Sequence, residues 1–408
     1  MNAFHQSTPT NDLCISNCQA VLPDRILANA CIYIDRGQIV FVGGEPQARH
    51  AGNTLDAHGN FVVPGYIDLH VHGGAGHDFM DGTAEAVRGV LQAHASHGTT
   101  TIFPTTTTGS QTQILEMIAA CQAVMGNEEL LPKVAGVHLY GPYFAPDKVG
   151  CHSPAGCRPP SFDEYRQYFE TGLVRIATCA AELDNCQDFY SMARQHRCLI
   201  TCGHSNASYT EMKAAFEAGV RHVDHFWCAM SSVPSVRSRL GVPMQGSMAE
   251  FVLMERAMST EVIADGYHLA PELLEFAFCM LGPERLCLVT DCNRALDMPP
   301  GNYRFGNDYD GSFFQSDGQV GWALAVEGQP ASLASSVVGM DHMVRHMFHS
   351  TSASLPEVIR MATLTPAERT GIQHLTGSLE VGKQADLLIL NQDLRVEKVY
   401  IAGKECAR

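Results

Sequence analysis

Between about residue 64 and residue 291 the chain repeats one pattern, in which a short apolar, β-rich run ends near a polar residue and a stretch with helical spacing follows. Eight such runs end near His70, Thr105, Tyr140, Cys179, Cys202, His225, Ala264 and Asp291. Strand-like runs alternating with helical patterns are what parallel βα units produce, and eight of them predict an α/β fold, a (β/α)8 TIM barrel. The spacers Ser208 to Ala218, rich in Ala, Glu, Lys and Met, and Pro271 to Leu281 read as helices.

The texture differs at both ends. The first sixty residues carry short β-rich pieces, Ala30 to Ile34 and Gln38 to Gly43, separated by turn residues, and residues 377–390 and 396–403 turn β-rich again. The tail is therefore expected to join the N-terminal layer. This gives a small discontinuous β-sandwich domain, residues 1–63 with 376–408, around a barrel of residues 64–375. No internal repeat or low-complexity tract is visible.

Composition narrows the function. With 408 residues, 45% of them hydrophobic, the chain can bury one large core. Lys and Arg number 27 against 43 Asp and Glu, a net charge of -16, so the overall field repels polyanions and argues against nucleic acid as a partner. A small anionic substrate held by local cations remains compatible. The start, Met1 to Thr8, shows no basic segment followed by an apolar core, and no run reaches the roughly 18 apolar residues of a membrane helix. A cytoplasmic protein without a membrane partner is expected. The 15 cysteines show no Cys-x-x-Cys spacing, which suits reduced thiols better than a disulfide frame or zinc ribbon.

The candidate chemistry lies at the strand ends. His70 and His72 are one residue apart at the end of an apolar run, and side chains at i and i+2 of a strand share a face, so both rings point into one space and can grip one cation. His204, His225, His268 and Asp291 each follow another β-like run. In a barrel of this kind the carboxyl ends of the strands carry the chemistry. Imidazoles and a carboxylate converging there suit a borderline ion such as zinc and a metal-assisted hydrolysis, with Asp291 moving the proton from water to a leaving nitrogen. His77, His94, His97, His138 and His222 are read as structural, His222 because it sits near the beginning of its strand.

The ordered set of motifs resembles the N-acetylglucosamine-6-phosphate deacetylase family of the amidohydrolase superfamily, over roughly residues 25 to 405. It comprises Pro64 to Gly73, Gly98-Thr99-Thr100-Thr101, His138 to Pro142, Gly203 to Ala207, His225 with Ala229-Met230, Ile263 to His268 and Leu288 to Asp291. The resemblance implies release of acetate from the 2-acetamido group of a sugar phosphate, with one or two divalent ions, zinc or iron. It makes His204 and His225 metal ligands, His70 and His72 a second metal pocket, and Asp291 the catalytic acid and base. It also implies that His152 contacts the sugar, and that the phosphate end meets the backbone at Cys228 and Ala229, His268, and Arg237 or Arg239. A homodimer is implied, its neighbouring subunit reaching the phosphate end.

The resemblance breaks in one region. Tyr140 stands where the family has a metal-ligand Glu, and a neutral phenol, with a pKa near 10, is a poor replacement for a carboxylate. Three readings follow: the metal shifts toward His70, His72 and Asp291; Tyr140 ligates as phenolate or polarises the carbonyl; or the site is dead. Retention of the histidines and Asp291 favours a rearranged working site. Cys228 replaces a family Asn, Cys292-Asn293-Arg294 follow Asp291 in place of small residues, and the late loop reads Leu333-Ala334-Ser335-Ser336, where Ser335 stiffens a Gly hinge. Arg294 either pairs with an acidic group or is an exposed loop arginine; Cys228 and Cys292 read as small pocket-lining residues. The clustering predicts an altered substrate. Alternatives are an amidohydrolase acting on another C–N bond, a cyclic amide or a deamination, and an inactive binding paralogue.

Overall fold

The computed structural model describes residues 10–44, 50–126, 130–324 and 332–406; the opening Met1 to Thr8, expected to carry no leader, lies outside them. The eight expected barrel strands are Tyr66–Val71, Thr99–Pro104, Val137–Leu139, Val174–Thr178, Leu199–Cys202, His222–Val223, Ser259–Val262 and Leu286–Leu288. Neighbours pair in parallel in chain order, with the bridge Thr105↔His138 joining the second strand to the third and Val71↔Cys292 closing the eighth onto the first. Every residue of the first and second strands is buried, as expected of strands covered on both faces. The spacers are helices Tyr209–Ala218 and Pro271–Leu281. Ser208 caps the first of these in a capping box with Glu211, satisfying end N–H groups that would otherwise lack partners.

Strands from both ends of the chain join in one eight-stranded sheet. Phe61–Pro64 pairs antiparallel with Leu387–Leu390 and parallel with Thr10–Val21, so the tail is stitched to the N-terminal strands. Phe61–Pro64 continues through Gly65 directly into the first barrel strand. A Cβ on Gly65 would stand 2.1 Å from Thr100 Oγ1, so only glycine lets the chain pass this close to the second strand.

The chain after the eighth strand differs from the expected loop. Gly301–Phe305, Ser312–Ser316, Val320–Ala323 and Leu333–Ser336 form a four-stranded antiparallel sheet, so Leu333 to Ser336 is a strand. Its first strand brings the Phe305 ring within 4.9 Å of the His72 ring, and its last pairs Ser336 with Cys292. This insertion lies at the carboxyl ends of the barrel strands and walls one side of the site. No described helix is long and apolar enough to cross a membrane.

Candidate metal centre and active site

Barrel closure builds the centre. Asp291 N–H donates to the His70 carbonyl at 2.8 Å and His72 N–H to the Cys292 carbonyl at 2.8 Å, so the end of the eighth strand is laced to the end of the first. Asp291 Oδ1 thereby lies 3.2 Å from His72 Nε2 and 3.7 Å from His70 Nε2. Among the described residues these three form the one group of histidine, cysteine or acidic side chains whose donor atoms all lie within 4.8 Å of one another. His70 Nε2 and both ring nitrogens of His72 are buried and lack a hydrogen-bond partner in the described structure. Buried polar atoms of this kind are costly unless something pairs with them. Two imidazole nitrogens and a carboxylate oxygen match a divalent ion that keeps positions open for water and substrate, so the residues fit the metal that the sequence suggests.

A residue that the sequence reading missed sets the orientation. Glu261, buried on the seventh strand, accepts a hydrogen bond from His70 Nδ1 at 2.5 Å and one from the His225 backbone N–H at 3.2 Å, and its Oε2 lies 3.4 Å from His222 Nε2. With Nδ1–H held by Glu261, Nε2 is the His70 nitrogen that faces Asp291. The signal was present: Glu261 interrupts the run Thr260 to Ile263, and a carboxylate inside an apolar strand is seldom there without a partner. Burial opposes charge on Glu261, but His70 and His222 outweigh it and hold the carboxyl well below its usual range. Burial likewise disfavours protonated His70, yet Glu261 and Asp291 lift it to about 9. Burial is again outweighed at Asp291, which His70 and His72 keep ionised.

Above the centre opens a cavity of about 380 Å³. Its walls include Tyr140, Lys148, His152, His204, His225, Cys228, Ala229, His268, Asp291 and Ser335, so the structure gathers the site residues singled out from sequence, with His70 and His72 at the floor. His268 donates Nδ1–H to Asp265 at 2.7 Å. Neither Arg237 nor Arg239 is among the walls, and Arg239 is bound by Glu211. Lys148 is the basic residue that lines the cavity instead, and sequence gave no sign of it. Cys228 lines the cavity, whereas Cys292 is buried outside its walls. Arg294 is neither exposed nor in the cavity: it pairs with Asp81 at 2.9 Å and donates to the Gly306 carbonyl at 2.7 Å, tying the inserted sheet to the loop after the first strand. A second cavity of about 330 Å³ lies beyond His152 and Phe305, and Asp291 is not among its walls.

The remaining histidines have fixed tautomers. His225 Nδ1–H donates to the Cys228 carbonyl at 3.1 Å and His204 Nδ1–H to the Lys148 carbonyl at 2.5 Å; a carbonyl only accepts, so each ring carries its lone pair at Nε2. Tyr140 O–H donates to His225 Nε2 at 2.6 Å. Burial, reinforced by the charges of Asp291 and Asp224, pushes the phenol well above its ordinary range, so it is neutral. Burial and neighbouring imidazoles hold His204 and His152 well below theirs.

Backbone strain gathers here. His204, Ala229, Asp291 and Ser335 have φ of 45°, 46°, 45° and 62°, a left-handed conformation that non-glycine residues adopt at a cost. Ser335 does not simply stiffen a hinge; its Oγ donates to Asp291 Oδ1 at 3.3 Å. His138, His222, His94 and His97 are held by structural partners: Leu69 and Thr178, Ser259 and Glu261, the Gly73 carbonyl, and Asp297 with Asp341.

A closed parallel barrel with imidazoles and a carboxylate at its strand ends is the architecture of metal-assisted barrel hydrolases. The chain belongs to the amidohydrolase family, whose model matches residues 61–406. It is 28% identical over 395 residues, 94% of each chain, to N-acetylglucosamine-6-phosphate deacetylase of Bacillus subtilis (strain 168). It is 31% identical over 349 residues to N-acetylgalactosamine-6-phosphate deacetylase of Escherichia coli O157:H7, covering 84% of this chain and 87% of that one. Among solved structures, a variant of N-acetyl-D-glucosamine-6-phosphate deacetylase from Mycobacterium smegmatis, in complex with N-acetyl-D-glucosamine-6-phosphate, superimposes with a TM-score of 0.86 at 25% identity, over 97% of this chain and 99% of that one.

Proposed function

We propose that this protein is a metal-dependent deacetylase that releases acetate from an N-acetylated amino sugar phosphate. The observation that carries the reading is the convergence of His70 Nε2, His72 Nε2 and the Asp291 carboxylate beneath a cavity of about 380 Å³. The deacetylase relatives, aligned over most of their length, supply the substrate class.

His70, His72 and Asp291 hold the ion, zinc or iron by the chemistry of the donors. Bound there, it lowers the pKa of a water and polarises the amide carbonyl. Asp291 turns Oδ1 to both imidazoles and to Ser335, which leaves Oδ2 to take the water's proton and pass it to the leaving nitrogen. His152, a neutral ring on the wall, contacts the sugar. Lys148 and His268, both on the cavity wall, are the groups assigned to the phosphate. The working unit is a homodimer in the cytoplasm, as the sequence reading implies; light scattering on the purified chain tests the dimer.

The function is tested by incubating metal-loaded protein with N-acetylglucosamine 6-phosphate, N-acetylgalactosamine 6-phosphate and both unphosphorylated sugars, and measuring acetate. Acetate from at least one phosphorylated sugar, at higher kcat/KM than from its unphosphorylated form, is expected. Stoichiometric metal with no acetate from any of the four would overturn the reading and point to another C–N bond.

A further inference from the structure

Two sets of donors face the cavity floor, and only one has the spacing of a metal site. Four ligands about 2.0–2.1 Å from a tetrahedral ion stand roughly 3.3 Å from one another. The contacts of Asp291 Oδ1 with His72 Nε2 and His70 Nε2, 3.2 and 3.7 Å, bracket that separation. The second set is His204 Nε2, His225 Nε2 and Tyr140 Oη. There the Tyr140 oxygen is 2.6 Å from His225 Nε2, a hydrogen-bond contact too short for two ligands spread around one ion.

We infer that Tyr140 closes the His204–His225 pair to metal, leaving a one-ion centre on His70, His72 and Asp291. The tautomers carry the first step. His225 gives its only proton to the Cys228 carbonyl, so its single lone pair at Nε2 is the one that accepts Tyr140 O–H. While that bond stands, His225 has nothing left to offer a cation. His204 alone, its Nδ1–H committed to Lys148, is one neutral donor, and one imidazole does not hold an ion.

The second step is that the phenol cannot swing aside. Its ring packs edge-on against His70 and Phe144, with centroids 4.3 and 4.8 Å away, and its backbone N–H and carbonyl are both bonded to Thr106 Oγ1 at 2.8 Å. The result is a division of labour across the floor. One side holds the ion, and the other presents neutral hydrogen-bonding groups, His204 Nε2 and the Tyr140 oxygen lone pairs, that accept from a substrate hydroxyl or amide N–H.

This inference rests on the metal-dependent reading, and metal counting separates the two. Full-length protein stripped with chelator is titrated with Zn²⁺ alone by calorimetry, and the bound zinc is counted after dialysis. Wild type is expected to hold one ion per chain, His72→Ala to lose it and His225→Ala to keep it. Tyr140→Glu, a shorter and charged donor, is expected to hold two, and Tyr140→Phe, which preserves the ring packing, one. Two ions in wild type, or loss of the ion in His225→Ala but not in His72→Ala, would overturn the one-ion centre while leaving the hydrolase reading intact. A folded Tyr140→Glu that still holds one ion would overturn the role given to Tyr140. No bound zinc in wild type would sink both.

Discussion

Glu261→Ala removes the carboxylate that braces the metal-binding floor from below. In the native chain it accepts from His70 Nδ1 at 2.5 Å and from the His225 backbone N–H at 3.2 Å, and lies 3.4 Å from His222 Nε2. The alanine variant leaves two buried N–H groups without an acceptor, at about 1–3 kcal/mol each, and breaks a buried pair, for which losses of about 3–5 kcal/mol are typical. A stability loss of about 3–5 kcal/mol is the expectation, since the two figures describe overlapping contacts. The effect on the centre is separate. Without Glu261 nothing fixes the proton of His70 at Nδ1, the lone pair no longer stays on Nε2, and metal affinity is expected to fall about 10- to 100-fold. Glu261→Gln keeps the shape and one acceptor oxygen, so it should lose less than the alanine variant in both readouts. Competition with a chromophoric chelator at neutral pH reads the affinity, and denaturant unfolding reads the stability. An alanine variant that binds zinc as tightly as wild type would refute the claim that Glu261 positions His70, whatever its stability.

Other expectations follow from the same contacts. Asp291→Asn should lower kcat about 100- to 10,000-fold with the fold intact by circular dichroism, since a positioned acid and base contributes on that scale; substantial turnover would remove Asp291 as proton carrier. Ser335→Gly relieves a left-handed backbone at φ of 62° but removes the Oγ–H donor to Asp291, so stability should hold or rise by up to about 1 kcal/mol while kcat falls; a fall in stability with kcat unchanged would contradict this. Burial alone would lower the His97 pKa, but Asp297 and Asp341 raise it from 6.5 to about 9. These ion pairs therefore stabilise fully below pH 6.5, and their contribution is lost as pH rises through 9. Unfolding measured across that window should show a slope that His97→Gln flattens.

Much of the architecture was legible because its physics is periodic. Runs such as Tyr66–Val71 and Leu286–Leu288 are buried on both faces, so they read as strands, and each strand end is also where the chemistry sits. His70 and His72 could be read as a pair because strand geometry puts i and i+2 on one face. What was hidden depends on contacts between distant residues. Glu261 acts on His70 from 191 positions away, and only barrel closure brings them together. Lys148 faces the cavity from an irregular segment whose path no spacing rule supplies. The inserted sheet was missed because its strands, four or five residues long, alternate burial weakly. Arg294 illustrates the same limit: pairing with an acidic group or exposure on a loop were equally open in the sequence, and only the fold shows Arg294 buried against Asp81.

The central claim is that this chain hydrolyses an N-acetyl amide with an ion held by His70, His72 and Asp291. Its most direct test is acetate release from the preferred sugar phosphate, measured on one preparation as purified, after chelation and after zinc is restored, beside His72→Ala. The account expects release that disappears on chelation, returns with zinc, and is absent in His72→Ala at every stage. Release that persists through chelation, or in His72→Ala, would contradict it.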